Sequence, residues 1–235
     1  MSFTLGGYPL IGGRVSMDLQ GPWVATLNVD ADVVLSGQLQ LELPGTAFTC
    51  TVLPARLGGG IVEGVNWCRV VGGYGGLRKR VDGQHFSYSD ARTIAETTLQ
   101  LVGEVYSPAS VDPLLFGTME HWMRLEGTCG AALDALAAQL GLEWRVRPDG
   151  TTWFGQSTWE EELVPADVLR DHLQQGRLEL ACDDRTIMPG VTIYPQDTET
   201  LALDENSYRV RRAEHFLVDG TTWRTIVHYD AEAAA

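Results

Sequence analysis

Long hydrophobic runs are missing from this sequence. No stretch of about 18 apolar residues occurs, which excludes a membrane-spanning helix. Residues 1–13 lack a basic segment followed by an apolar one, so they do not read as a secretory signal, and a soluble protein not exported by that route is expected. Positive charge is scarce too. Lys and Arg number 17 against 31 Asp and Glu, a net charge of −14 and a pI near 4.6. Sequence-independent grip on DNA or RNA depends on cations that displace counterions from phosphate, and this balance opposes it. The same charge suits simple solubility, or a surface past which nucleic acid moves without sticking. Cysteine is limited to Cys50, Cys68, Cys129 and Cys182, widely spaced, without a CxxC pair and among apolar or small neighbours. Reduced, buried thiols are expected, and geometry alone can rule on a bridge such as Cys50 to Cys68.

Patterns that carry chemistry are equally sparse. His85, His121, His172, His215 and His228 are scattered, with no HxH, no HExxH and no Cys/His spacing of a zinc finger. No GxSxG elbow occurs. Glu160, Glu161 and Glu162 are adjacent acids whose side chains point in different directions, which suits the solvated entry to a helix expected from Pro165 to Gly176 better than paired catalytic carboxylates. The glycines at 72, 73, 75 and 76 lack a following Gly-Lys-Ser/Thr and a helix directly behind them, so a flexible loop is expected rather than a phosphate cradle. Arg78, Lys79 and Arg80 then form a cationic triplet, either solvated or a contact for an acidic partner. No catalytic, cofactor-binding or metal-ligating residue is assigned, and no enzyme activity is expected.

Turn formers are abundant instead, with 26 Gly and 10 Pro, so many short strands are expected. Apolar residues alternate at Val15, Met17 and Leu19, at Trp23, Ala25, Leu27 and Val29, at Leu39, Leu41 and Leu43, and at Phe48, Cys50 and Val52. Strand text continues over 61–65 and 67–71, and the spacing suggests a closed barrel or sandwich. The glycine-bounded opening suits an arm or a first edge strand. Ala91, Ile94, Ala95, Thr98, Leu101 and Val102 share a helix face, capped by Ser87 or Ser89 and stopped by Gly103. Beyond 176 the strand pattern returns at Leu178, Leu180 and Cys182, at Val191 and Ile193, and from Tyr208 to a hairpin turn at Asp219-Gly220. Trp223, Thr225, Val227 and Tyr229 alternate after that turn.

The most informative stretch spans residues 120–155. Thr128 caps a helix with Leu133, Leu136, Ala137 and Leu140 on one stripe and Gly141 as its stop; Glu143 to Arg147 alternate, Pro148-Asp149-Gly150 turns the chain, and Trp153 and Phe154 run back. Five alanines keep the helix thin, so its stripe can lie against a sheet whose bulk comes from Trp144 and Trp153. With Trp122, Arg124 and Gly127-Thr128 ahead of it, this phrase of small-residue helix, Leu-Gly stop and aromatic hairpin resembles the hub proteins of phage tails and baseplates, best over residues 85–160.

That resemblance implies an α+β, mostly β chain: two β-barrel-like units at 1–84 and 166–235 bracketing a small α+β middle with two to three helices at 85–165. It implies a structural virion protein of the tail tip or baseplate. Three subunits would close a ring that adapts a sixfold tail tube to a threefold central spike or fibre and leaves a channel for DNA. The implied partners are two further copies, a tail tube or distal tail protein, the spike or fibre protein and the tape measure protein. DNA would pass without specific binding, and no membrane insertion is implied. Two alternatives from the residues remain open, a monomeric carbohydrate-binding or adhesin module using the seven tryptophans and a hydrolase with an unrecognised site.

Overall fold

The computed structural model describes residues 3–54, 60–62, 65–110, 117–165, 167–172, 175–181, 186–196 and 207–230. Cys182 lies outside the described residues. The first strands are β1 (Thr4–Leu5), β2 (Tyr8–Asp18), β3 (Val24–Asp30), β4 (Gly37–Leu43), β5 (Thr46–Val52), β6 (Gly60–Val62) and β7 (Val65–Gly72). Alternation decides their faces: in β3, Ala25, Leu27 and Val29 are buried and the residues between them are not. All pairings are antiparallel, in the order β1-β4-β5-β7-β3-β2, and β1 also pairs with β2. The six strands therefore close into a barrel. The expected arm or edge strand is instead the closing stave, with Thr4 opposite both Pro9 and Glu42. Closure removes the free edges that such short strands would otherwise present.

The middle comprises β8 (Arg80–Val81), β9 (Gln84–Asp90), α1 (Ala91–Gln100), β10 (Thr118–Arg124), β11 (Gly127–Thr128), α2 (Cys129–Leu140), β12 (Glu143–Val146) and β13 (Thr152–Gly155). The α2–β12–β13 unit is built as the sequence predicts. Thr128 Oγ1 accepts from the Ala131 amide at 3.2 Å, and Gly141 ends the helix in the left-handed region at φ 65°. Its stripe packs Leu133 and Leu136 into the core with Trp144, which is 1% exposed, whereas Trp153 stays half-buried. On α1 the cap is Asp90, whose carboxylate accepts from the Arg92 amide at 2.7 Å; Ser89 turns back to the Ser87 carbonyl. An ionised acceptor at the helix N-terminus is the stronger cap.

The remaining strands are β14 (Glu160–Pro165), β15 (Asp167–His172), β16 (Arg177–Ala181), β17 (Val191–Gln196), β18 (Tyr208–Val218) and β19 (Thr222–Tyr229). The helix expected from Pro165 to Gly176 is not formed. β14 runs parallel to β17 from Glu160↔Val191 to Pro165↔Gln196, and β15 pairs antiparallel with β16. A short helix draws most of its stability from packing, and here tertiary partners offer the segment a ladder instead. The described residues thus contain two helices. Asp219 and Gly220, both at positive φ, make the expected turn between β18 and β19.

One ladder joins the two β-rich parts. β2 pairs with β1 through Tyr8 and Pro9, then with β18 from Gly13↔Leu217 to Asp18↔Arg212. Gly13 sits at the change of partner, at φ 151°, where an added Cβ would stand 2.8 Å from the Thr26 carbonyl oxygen. The result is a 13-stranded sheet in which the closed barrel continues into the order β18-β19-β16-β15, with β17 and β14 branching from β18. Among the described residues β14 pairs only with β17 and β15 only with β16, so the second part is open at both ends. One apolar cluster runs from the barrel through α1, α2, Trp144 and Phe154 to Leu217 and Trp223; a second, around Leu178, Leu180, Ile193 and Val210, fills the second part.

Candidate functional site

The motifs singled out in the sequence scatter in space. The glycine loop is no phosphate cradle, because its Tyr74 and Gly76 amides are already occupied. Glu104, 3% exposed, accepts from the Gly76 amide at 2.5 Å and the Tyr74 amide at 3.2 Å. Burial raises the pKa of this carboxyl, and the amides of Gly76, Tyr74 and Leu77 and the charge of Lys79 pull against that rise. The loop is a nest whose anion is supplied from within the chain. The cationic triplet behind it is divided. Lys79 donates to the Val102 carbonyl at 3.0 Å and Arg80 pairs with Glu126 at 2.5 Å, whereas Arg78 makes no hydrogen bond or ion pair among the described residues.

Cys50, Cys68 and Cys129 are free and buried. Burial pushes the Cys50 and Cys129 thiols up to about 12, which keeps them protonated and unreactive. Glu160, Glu161 and Glu162 lie on β14 at an open end of the sheet. Among the described residues no group of three His, Cys, Asp or Glu side chains converges as a metal site would.

The geometry concentrates where the three parts of the chain meet, at residues 186–190. Thr186 donates to the Pro44 carbonyl of the barrel at 3.0 Å, and Gly190 donates from its amide to the Val210 carbonyl at 2.9 Å. Ile187 offers its carbonyl to His215 Nε2 at 3.0 Å. A carbonyl only accepts, so Nε2 carries the proton and Nδ1 accepts from the Thr225 hydroxyl at 2.9 Å. His215 is fully buried, stacked 5.1 Å from the Trp223 ring, and burial lowers its pKa to about 4. From the middle, Arg145 donates to the Pro189 carbonyl and to Ser157 while its guanidinium lies 4.5 Å from the Trp153 ring. Glycine suits position 190, where φ is 95°, a conformation that side chains rarely adopt. A cavity of about 350 Å³ remains beside these contacts, lined by Trp23, Phe48, Arg145, Trp153 and Met188 among others. The barrel and middle are tied further by the Gly21 amide on the Trp144 carbonyl at 2.7 Å and the Thr49 amide on the Pro148 carbonyl at 2.7 Å.

This arrangement ties the β-rich parts together and, among the described residues, leaves β14 and β15 with one partner each; the Thr225 hydroxyl does sit on the His215 ring, but both side chains are fully buried. Solved structures with the same architecture include proteins described as phage or prophage tail proteins. The E. coli c3393 protein, described as a component of the type VI secretion system with structural similarity to the T4 bacteriophage tail proteins gp27 and gp5, aligns with a TM-score of 0.69 at 12% identity, over 100% of this chain and 78% of its own. The fold is that of solved phage tail proteins. A 43 kDa tail protein of prophage MuSo2 from Shewanella oneidensis aligns with a TM-score of 0.69 at 12% identity, covering 99% of this chain and 98% of that one. A tail protein from Neisseria meningitidis MC58 aligns with a TM-score of 0.62 at 12% identity, covering 97% and 96%. No family model matches the sequence, and no curated protein does.

The junction residues escaped the sequence reading. His215 and Glu104 sit in strand and loop text like that of any surface residue, and their partners are 28 residues away at Ile187 and 28 away at Gly76. The one local hint is the close run of Arg and Glu in 209–214 on a strand whose other positions, His215 apart, are apolar or aromatic.

Proposed function

We propose that this chain is a structural subunit of a phage tail tip or baseplate, a hub that closes as a homotrimer. In this reading its parts at 1–84, 85–165 and 166–235 act as barrel, clamp and second barrel-like unit. Three copies present six similar faces to a sixfold tail tube or distal tail protein. The opposite side offers threefold symmetry to a spike or fibre, and DNA and the tape measure protein pass through the centre. The protein then resides in the virion tail after assembly in the host cytoplasm.

The observation that supports this most is the single ladder β2–β18, which couples a closed barrel to a second sheet open at β14 and β15. A subunit that supplies two of six positions needs both units held at one fixed angle, and the bonds around residues 186–190 provide that rigidity. Open strand ends suit completion by neighbours. The carbohydrate-binding alternative needs exposed indoles in a cleft; Trp23, Trp144 and Trp223 are spent on the core, whereas Trp67 is 45% exposed and Trp153 lines the cavity. Native mass measurement of the purified protein, alone and with its tail neighbours, tests the reading. A trimer that images as a ring supports it; a monomer at high concentration together with one copy per particle overturns it.

A further inference from the structure

His85 and His121, far apart in the sequence, meet on the ribbon β9–β10. The antiparallel register sets Met123 opposite His85 and Ser87 opposite His121, so the two histidines stand diagonally on one face of the ribbon. The other face is committed to the interior, with Phe86 opposite Trp122 and Arg124 buried. The two imidazole rings lie 5.4 Å apart at 20° to one another, and Tyr88 meets His121 edge-on at 6.0 Å. Tyr88 does so at φ 48°, a backbone conformation that is costly for a bulky residue. Both histidines are exposed, and beyond these ring contacts neither makes a hydrogen bond or ion pair among the described residues. An imidazole without its second proton has one nitrogen lone pair to give, and here nothing in the described chain takes it.

We infer that His85 and His121 form a two-imidazole chelate for a late first-row divalent metal ion, of the class of Ni²⁺, Cu²⁺ and Zn²⁺. Imidazole nitrogen is the donor that these ions share. Bonds of about 2.1 Å put two coordinating nitrogens no more than about 4.2 Å apart. Exposed rings whose centres are 5.4 Å apart reach that separation by rotation about their own side-chain torsions, with the ladder unmoved. The residues directly opposite them, Met123 and Ser87, carry no charge to repel a cation, and the chain's −14 draws cations towards it. Water completes the coordination, since His121 lines an open recess with Glu120 and Gln139. Two donors on one ladder make the second bond intramolecular, which raises affinity about 10²–10⁴-fold over a single imidazole. The backbone ladder already holds β9 to β10, so the ion is an added tie between the strands and not a condition of folding.

Calorimetric titration of the full chain with Ni²⁺, in a buffer that does not bind the ion, tests the site in the parent and in His85→Gln, His121→Gln and His172→Gln. His172, on β15, carries the same substitution away from the pair. One ion per chain is expected for the parent and for His172→Gln, with affinity lower by about a hundredfold in His85→Gln and in His121→Gln. A second readout needs no substitution and stands even where a variant fails to fold. One equivalent of Zn²⁺ added to the parent should shift the ring-nitrogen resonances of two of its five histidines together. A parent that binds no ion overturns the inference, as does an ion held equally well by both variants of the pair. A Zn²⁺ shift confined to one histidine also refutes it, since a single imidazole is no chelate.

Discussion

At the scale of single residues, stability rests on a few buried polar groups held by distant backbone. His215 is neutral in the folded protein, with a pKa lowered to about 4 by burial, against about 6.5 when unfolded. The unfolded chain therefore binds a proton that the folded one refuses as pH falls from 6.5 to 4. Stability is complete above that window and declines through it by about 3 kcal/mol. Urea midpoints measured across this range check the slope, and His215→Gln should flatten it. Glu104 offers a second case. Glu104→Ala leaves the amides of Tyr74 and Gly76 without their acceptor and is expected to cost about 3 kcal/mol. Gly76→Ala should cost about 2–4 kcal/mol, because its Cβ would stand 2.4 Å from the Val102 carbonyl oxygen. Denaturant titration of both variants is the measurement; a change below about 0.5 kcal/mol in either would show that the nest is not needed.

Among the elements, β1 has an effect out of proportion to its two residues. It alone bridges β2 and β4, so deletion of residues 1–7 turns a closed barrel into a sheet with two free edges. Hydrogen exchange is expected to accelerate at Leu10 and Leu41, which flank the gap, while α2 keeps its protection. Aggregation should rise with concentration. For α2 itself, Thr128→Ala removes the cap and should cost about 1 kcal/mol. Helix α2 was legible in full because cap, stripe and stop are all local. Strands β14 and β15 were not, since residues 160–172 carry a helix-like entry signal, and Glu160–Pro165 and Asp167–His172 adopt strands only because β17 and β16 lie beside them.

For the whole molecule, charge is the property with the widest consequence. Three copies carry about −42, three times the subunit's −14, and acids that line a channel repel phosphate at short range, where a Debye length of about 8 Å screens only in part. In the proposed ring, the inner surface is expected to be net acidic. Reversal of several lumenal acids to Lys should slow genome delivery and leave ring assembly intact. A ring structure with a basic channel would refute this, as would charge-reversed rings that deliver DNA at the parent rate. The purified protein is also expected to melt at the same temperature with and without a chelator.

The sequence by itself determined whatever depends on neighbours along the chain: the alternation of β3 to β5, the capped helix α2, the Asp219-Gly220 hairpin and the acidic balance that opposes a grip on nucleic acid. Periods of 2 and 3.6 residues and the special conformations of glycine are written locally. Tertiary structure alone decided that β1 closes the barrel, that β2 leaves one partner for another at Gly13, and that the glycine loop receives Glu104. It also decided that His215, Arg145 and Thr186 meet on residues 186–190, and that Arg14, Arg69 and Arg212 from three strands and Arg78 from a turn line one groove. Each of these joins groups far apart in sequence. The chain pays for such contacts only once the barrel has brought the backbone together, and no local pattern records which distant partner will be there.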